Sequence, residues 1–324
     1  MARFLFGGFL LMANLLTKFL QSLRKPVAAK VARLSYSSED EIIQFYSQKI
    51  VENPNDVGLR LARGMAFGRA GQHEAAIAEL NDVLQRDPMR IETLYYRGGS
   101  YLVLHHFEKA LEDFTELINE CANRVPPMPF DHEYFDFGHL MRGQTYIHMG
   151  EIVRARVDLN KGIAKMPDYA LGYVLRAYCA LLSLDLEEAL VDLRHAETLD
   201  AYERTTWLYL GVVELQRGEF QTAKAYFQRA LADEEWDDPY SNLALLSLKQ
   251  NDLANASVYA DKAIALNVQW SPLAFYVKGK VHLAGGDHEK AFADFANAIK
   301  YWTNPEAPLH KPYIDEMKAY LAQG

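Results

Sequence analysis

The sequence predicts an all-α fold, a right-handed α-solenoid of about seven helix-turn-helix units with capping helices. Two observations predict this fold. An alanine recurs at nearly constant spacing over most of the chain, and a second small residue stands twelve positions before each alanine. In addition, 50% of the residues are hydrophobic and 24% are charged, which is typical of a globular protein with enough apolar material for a long core.

The two series of small residues predict where pairs of helices cross. The alanines are Ala76, Ala110, Ala155, Ala189, Ala223, Ala256 and Ala291, at spacings of 34, 45, 34, 34, 33 and 35 residues. The partners twelve residues earlier are Gly64, Gly98, Gly143, Ala177, Gly211, Ala244 and Gly279. A larger side chain at either place would overpack two closely crossing helices, so each unit is predicted to be an antiparallel helical hairpin.

The residues between and after the small positions favour the same hairpin. Glycines provide turn signals between the two helices at Gly71, Gly150, Gly218 and Gly286. A mostly large apolar residue follows each alanine by four positions: Leu80, Phe114, Leu159, Leu193, Phe227, Ala260 and Phe295. Residues four apart share a helix face, so the second helix is expected to bury this stripe. Pro54, Pro88 and Pro167 indicate where helices end.

One unit carries a nearly complete family pattern. Trp207, Leu210, Gly211, Ala223 and Phe227 fit W-x2-L-G followed by A-x3-F, which resembles the tetratricopeptide repeat, without indicating a specific member. The resemblance covers residues 57–305, with an eleven-residue insertion near residues 125–135. It implies a non-enzymatic solenoid that binds protein partners. The aromatic residue expected after the glycine is replaced in the last four units by Ala180, Glu214, Ser247 and His282.

Two columns of the repeat vary together and predict ion pairs between the helices of each hairpin. In five units the residue before the first small position is basic: Arg63, Arg97, Arg142, Arg176 and Lys278. In the same units, and in the same order, the residue before the large apolar position is acidic: Glu79, Asp113, Asp158, Asp192 and Asp294. The two remaining units have Leu210 and Leu243 in the first column and a tyrosine in the second. Opposite charges in one register favour a partly buried pair.

A third set of positions predicts a partner-binding groove on the inner wall, which is formed by the first helix of each unit. These positions are Leu61, Met65, Tyr95, Leu102, Leu140, Ile147, Val174, Tyr178, Leu181, Leu208, Val212, Leu215, Leu245, Leu248, Tyr276 and Leu283. An exposed apolar strip of this length is unusual for a monomer, so a partner peptide or helix, a neighbouring copy or the N-terminal segment is expected to fill it. Packing between helices is the alternative for part of the row.

The chain ends are predicted to differ from the repeats. Residues 1–38 contain six Lys or Arg and no acidic residue, and they are interpreted as an anchor or targeting segment; a mis-assigned start is the alternative. Residues 39–56, with Ser38 as the helix cap, and residues 306–324 are predicted to form capping helices. We expect a cytoplasmic protein with membrane association through its N-terminus, or a mitochondrial protein in a eukaryote.

Charge and motifs exclude several functions. The net charge is −9, and because residues 1–38 contribute +6, the remaining residues carry −15, which disfavours binding to nucleic acid. No motif for phosphate binding, dinucleotide binding or hydrolysis occurs, so neither an enzyme nor a cofactor is predicted. Asp131, His132, Glu133, Asp136 and His139 fit no zinc spacing, and no metal site is predicted. Cys121 and Cys179 are expected to be reduced structural thiols.

The predicted function is a protein–protein interaction scaffold or adaptor that binds a partner peptide or helix in an apolar concave groove. The alternative is a self-associating structural or assembly factor at a membrane, which would be a homo-oligomer. Two further features have local interpretations: the acidic run at residues 233–238 favours a helix N-terminus, and Glu214, Ser247 and His282 could form a polar row through successive units.

Overall fold

The computed structural model describes residues 38–123, 131–199, 204–232, 235–267, 271–302, 304 and 306–322, with side chains from residue 137 onward in the second range. These residues are helical with short connections and contain no strand. The helices are α1 Glu39–Glu52, α2 Val57–Arg69, α3 His73–Arg86, α4 Glu92–Val103, α5 Phe107–Asn123, α6 Asp131–His148, α7 Ile152–Lys165, α8 Ala170–Leu182, α9 Leu186–Leu199, α10 Arg204–Arg217, α11 Phe220–Ala230, α12 Asp237–Lys249, α13 Leu253–Leu266, α14 Pro272–Ala284, α15 His288–Tyr301 and α16 Lys311–Leu321.

The described helices belong to two compact units. The first unit contains α1 to α7 and ends at Met166, and the second begins at Pro167 and contains α8 to α16. In the first unit the hairpins are α2/α3, α4/α5 and α6/α7, and in the second they are α8/α9, α10/α11, α12/α13 and α14/α15. The predicted all-α fold of helix-turn-helix units is therefore confirmed.

The small residues lie where the two helices of a hairpin cross. A Cβ added to Gly98 would lie 2.9 Å from Cε1 of Phe114, and a Cβ added to Gly211 would lie 2.5 Å from Cε1 of Phe227. The alanines that replace glycine at this position, Ala177 and Ala244, are fully buried. The crossing distance thus explains why the first helix of each hairpin tolerates only a small side chain here.

The turn between the two helices needs a left-handed residue in every hairpin. Glycine takes this conformation in four hairpins, at Gly71, Gly150, Gly218 and Gly286, with φ between 74° and 81°. The other three hairpins use His105, Leu184 and Asn251, with φ of 59°, 58° and 59°. Leu184 and His105 carry no turn signal in the sequence, yet the short connection imposes the same backbone on them.

The helix at the start of the described chain, α1, has a side-chain cap and packs against the first hairpin. The Ser38 side chain accepts a hydrogen bond from the Glu41 backbone N–H at 3.3 Å, which caps α1. The helix packs against α2 and buries Ile50. Residues 1–37 of the predicted segment at residues 1–38 lie outside the described residues, as does most of the insertion. Residues 131–135, predicted to belong to the insertion, are instead the first turn of α6.

Candidate partner-binding surface

Four of the predicted charge pairs form, and three of them have two-pronged geometry, with two nitrogens of the arginine on the two oxygens of one carboxylate. Arg97 donates from Nε to Asp113 Oδ2 at 2.9 Å and from Nη2 to Oδ1 at 2.6 Å. Arg142 and Asp158 repeat this arrangement at 2.7 and 2.9 Å, and Arg176 and Asp192 repeat it at 2.7 Å for both bonds. In the fourth pair, Arg63 donates from Nε at 2.9 Å and from Nη2 to the same oxygen, Glu79 Oε2, while Arg60 binds Oε1. The acids are 3–9% exposed, so these pairs tie the two helices together inside each hairpin.

In the first unit, each of these arginines also reaches the helix that precedes its hairpin. The Nη1 atoms of Arg63, Arg97 and Arg142 donate to side-chain oxygens of Ser47, Asn81 and Thr115, respectively, at 3.2, 2.8 and 3.3 Å. The separations along the chain are 16, 16 and 27 residues, and the last exceeds the others by the eleven-residue insertion. Sequence reasoning missed these three polar residues, although their constant register was a usable signal.

The fifth predicted pair is wrong. Lys278 Nζ lies 2.8 Å from Asp261 Oδ1 on α13, whereas Asp294 Oδ2 is 2.7 Å from Nδ1 of His282. Lysine has a single point charge on a flexible stem, so it does not need the flat two-pronged partner that arginine takes. His282 lies on the same helix as Lys278, α14, and binds the Asp294 carboxylate instead of Lys278. Burial raises the pKa of Asp294 despite His282 and Lys278.

Most of the predicted groove residues are not exposed to a partner. Eleven of them pack between helices and are at most 7% exposed: Leu61, Tyr95, Leu102, Leu140, Ile147, Val174, Leu181, Leu208, Leu215, Leu245 and Tyr276. Tyr95, for example, lies with its ring centroid 6.4 Å from those of Phe114 and Phe137, on α5 and α6. The prediction of a continuous apolar strip is thus corrected, because most of these positions face the neighbouring hairpin.

Five predicted groove residues remain partly exposed. They are Met65, Tyr178, Val212, Leu248 and Leu283. Tyr178 on α8 stacks on Tyr209 of α10, with ring centroids 5.0 Å apart and an interplanar angle of 10°. Tyr209 stands two residues before the small position Gly211, outside the predicted groove positions. Its aromatic side chain between apolar neighbours was the available signal.

An acidic residue completes a surface that we call the tyrosine–carboxylate patch, consisting of Tyr178, Tyr209 and Asp238. Asp238 lies in the first turn of α12 and is partly buried, and its carboxylate forms no ion pair with a described residue. Burial, and the nearby Asp238 carboxylate, raise the pKa of both tyrosines. Burial also raises the pKa of Asp238 and of its neighbour Asp237. The patch therefore holds a carboxyl group that loses its proton less readily than an exposed one, and a cation beside it would favour its charged form.

The other predicted sites have ordinary surroundings. His139 lies 3.0 Å from Asp158, and the side chains at residues 131–136 lie outside the described part. No three His, Cys, Asp or Glu side chains of the described residues are grouped as metal ligands. Cys179 is buried and Cys121 is partly buried, and no disulfide joins them. Glu214 and Ser247 are buried, while His282 bonds to Asp294, so a polar row joining the three is not seen in the described part.

Comparisons with known proteins agree with this architecture. The family model for the tetratricopeptide repeat matches residues 61–124 and 241–306. A structure of a tetratricopeptide repeat protein from Parabacteroides merdae has a TM-score of 0.59 at 17% identity, covering 82% of this chain and 97% of that one. The Cut9–Hcn1 hetero-tetramer of the APC/C gives a TM-score of 0.64 at 15% identity, covering 87% of this chain and 53% of that one. The chain contains tetratricopeptide repeats over the matched residues.

A human relative of this tetratricopeptide-repeat protein is the mitochondrial import receptor subunit TOM70, which is 21% identical over 210 residues. The match covers 64% of this chain and 34% of the human protein, so the chain spans about a third of that relative's length. None of the described helices is long and apolar enough to cross a lipid bilayer.

Proposed function

We propose that this tetratricopeptide-repeat protein is an interaction scaffold that binds a segment of a partner protein on the first helices of its second unit. The tyrosine–carboxylate patch is the observation that carries the proposal. Its three side chains come from α8, α10 and α12, the first helices of three successive hairpins. Partly exposed aromatic rings beside an acidic side chain are typical of a recognition surface rather than of a core.

The chemistry of the patch favours a partner segment that carries Lys or Arg. A partly buried carboxylate without a cation loses hydration and gains no compensating attraction. A Lys or Arg side chain of the partner would supply that attraction and could lie against the stacked rings of Tyr178 and Tyr209. Val212 and Leu248 are partly exposed on α10 and α12 and could contact apolar residues of the same segment.

The relatives agree with a role in protein binding. The human relative is named as a subunit of an import receptor, and one structural relative is part of a hetero-tetramer. A place at the mitochondrion or at a membrane is a further proposal, and it depends on residues 1–38, which contain six basic and no acidic residues. Self-association through the same surface is the alternative, and light scattering separates it because the measured mass would rise with concentration.

Affinity capture with the full chain tests the proposal. We expect Tyr178→Asp and Asp238→Lys each to remove the same captured partner, because the first removes one of the two stacked rings that the partner's side chain contacts and the second repels the partner's cation. Val191→Asp is the matched control, since Val191 is 70% exposed on α9, a second helix. Circular dichroism establishes that each variant is folded. If both patch variants capture everything that the control captures, the proposed site is wrong.

A further inference from the structure

The first two turns of α12 contain two buried oxygen atoms that bind no described residue. Asp237 and Ser241 are 2% and 3% exposed. The Oδ2 atom of Asp237 and the Oγ atom of Ser241 are buried without a hydrogen-bond partner in the part of the chain that the structure describes. A buried oxygen without a partner loses its hydration and gains nothing in return, so both atoms favour the binding of a hydrogen-bond donor.

The hydroxyl of Ser241 differs from other buried hydroxyls inside first helices. Ser100 on α4 and Thr145 on α6 donate to the backbone carbonyls four residues earlier, at 3.1 and 2.8 Å. This bond is a common way in which a helix satisfies a buried hydroxyl. The carbonyl four residues before Ser241 belongs to Asp237, and Ser241 Oγ does not bond to it. The hydroxyl is therefore available to a ligand.

Ser241 lies on the same face of α12 as two neighbouring acids. It follows Asp237 by four residues and Asp238 by three, and residues at these separations are neighbours on a helix surface. The next residue, Asn242, donates its amide to the backbone carbonyl of Asp238 at 2.9 Å rather than to the carboxyl group. Three oxygen-bearing side chains thus lie within about one helical turn, and one of them, Asp238, belongs to the tyrosine–carboxylate patch.

The electrostatics of this turn favour a cation. Burial, followed by the nearby Asp238, raises the pKa of Asp237, although hydrogen bonds from its own backbone and from Ser271 oppose the rise. Burial raises the pKa of Asp238 as well. Neither carboxyl group loses its proton readily by itself, whereas a cation bound between them would stabilise the charged forms of both.

We infer that Asp237, Asp238 and Ser241 together bind one primary ammonium group, and that the partner's cation is consequently a lysine rather than an arginine. The inference rests on the proposed function and specifies the side chain that the patch recognises. An ammonium nitrogen carries three donors around one centre, which matches one oxygen from each of three side chains.

The arginines of this chain show what a guanidinium group requires instead. Arg97 places two nitrogens on the two oxygens of Asp113, at 2.9 and 2.6 Å. At Asp237, Oδ2 lacks a partner, while hydrogen bonds from its own backbone and from Ser271 already act on the carboxyl group. One available oxygen beside a hydroxyl suits a compact point charge better than a planar fork.

Two capped amino acids test the inference with the full chain. Nα-acetyl-lysine methylamide and Nα-acetyl-arginine methylamide are titrated separately, up to millimolar concentration, into protein with isotope-labelled tyrosine rings. The NMR signals of Tyr178 and Tyr209, whose pKa values respond to Asp238, are assigned from the variants Tyr178→Phe and Tyr209→Phe. We expect the lysine derivative to shift both signals with a dissociation constant at least about 5-fold lower than that of the arginine derivative.

Two further probes identify the group that binds. A lysine derivative that is also acetylated at Nζ has no charge and is expected to shift neither signal. Equal or tighter binding of the arginine derivative, or no shift with the lysine derivative, would overturn the inference. If calcium chloride shifts the same signals at a lower concentration than the lysine derivative does, the three oxygens form a metal site and the inference is wrong.

Serine variants separate ligand binding from a structural role. Ser241→Ala is expected to weaken binding of the lysine derivative at least about 3-fold without lowering the urea midpoint, since no hydrogen bond inside the chain is lost. Ser100→Ala is the matched control, because it removes the bond to the Tyr96 carbonyl, lowers the midpoint and leaves binding unchanged. A lower midpoint for Ser241→Ala with unchanged binding would assign the hydroxyl to the fold and overturn the inference.

The inference and the proposed function fail in different ways, because the capped amino acids report on the site without a partner. If Tyr178→Asp and Asp238→Lys leave capture intact while the lysine derivative binds, the site binds an ammonium group but not the captured partner, and the proposed function is wrong. If both variants remove the partner while the arginine derivative binds as tightly as the lysine derivative, the inference alone is wrong.

Discussion

Gly98 and Gly99 are neighbours in α4, but only Gly98 faces the second helix of its hairpin. A Cβ at Gly98 would meet the Phe114 ring at 2.9 and 3.0 Å and Cβ of Asp113 at 3.1 Å. A Cβ at Gly99 would meet no atom within 4 Å. The rigid Phe114 ring cannot move away as a flexible side chain could. A larger side chain is therefore excluded at Gly98 but not at Gly99.

Alanine substitution at these two positions tests the limit. Gly98→Ala is expected to destabilise the chain by about 1 to 3 kcal/mol through overpacking. Gly99→Ala is expected to stabilise it by about 0.5 to 1 kcal/mol, since alanine favours a helix interior. Urea denaturation followed by circular dichroism measures both. Equal effects of the two substitutions would contradict the close crossing at Gly98.

At the scale of the element, arginine joins three helices rather than two. Arg97 on α4 bonds to Asp113 on α5 and to Asn81 on α3, so one side chain fixes the hairpin and its position on the preceding one. The Asp113 side chain is 4% exposed, and burial raises its pKa despite Arg97. A buried pair of this kind specifies a geometry more than it adds net stability.

A double-mutant cycle with Arg97→Met and Asp113→Leu measures the coupling. Each single variant leaves a buried group unpaired and is expected to cost about 3 to 5 kcal/mol, while the double variant costs much less than the sum. The exposed pair of Arg86 and Asp82, 38% and 31% exposed, is the control and is expected to show coupling of about 0 to 1 kcal/mol. Additive effects at Arg97 and Asp113 would show that the pair is not coupled.

The contribution of Asp158, on α7, to the stability of the fold is expected to depend on pH. Its burial raises the pKa, but hydrogen bonds from His139 and Arg142 outweigh burial and lower the pKa from 3.8 to about 2. The lowered pKa means that the carboxylate stabilises the fold above about pH 4, and that this contribution disappears as the pH falls through about 2. Asp158→Asn should therefore be less stable than wild type at pH 7, and the difference should shrink by about 2 kcal/mol toward pH 2.

Urea denaturation at several pH values measures this difference. Asp113→Asn is the matched control. Burial raises the pKa of Asp113, so the contribution of Asp113 to stability is expected to grow, rather than shrink, as the pH falls. A constant difference for Asp158→Asn between pH 5 and pH 2 would show that the carboxylate gains nothing from His139 and Arg142.

At the scale of the whole molecule, charge is divided unevenly along the chain. Residues 1–38 carry six positive charges and the remaining residues a net −15. A strongly negative body repels phosphate groups over a Debye length of about 8 Å at physiological salt. The proposed partner surface contains an acidic residue too, Asp238.

The full chain is consequently expected not to retard labelled duplex or single-stranded nucleic acid at physiological salt. An electrophoretic mobility assay checks this expectation over a range of salt concentrations. Retardation that weakens with salt, and that disappears when the six basic residues of the segment at 1–38 are neutralised, would contradict it and would assign nucleic-acid binding to that segment.

The sequence by itself determined the helical hairpins, their register and four of the five charge pairs. Each of these depends on contacts inside one hairpin, where spacing along the chain sets distance in space. Gly98 and Phe114, or Arg97 and Asp113, are found from the repeat alone because every hairpin folds by the same local rule.

Only the tertiary structure decided which inner positions are exposed and what lies on them. Whether Tyr95 is buried depends on Phe137 of the next hairpin, and whether Tyr276 is free depends on Tyr313 and Glu316, about forty residues later. Lys278 pairs with Asp261 instead of Asp294. The flexible lysine side chain can reach several neighbours, and the repeat pattern does not specify which of them it pairs with. The exposure of a side chain depends on every helix that packs around it, whereas the repeat pattern describes only contacts within one hairpin.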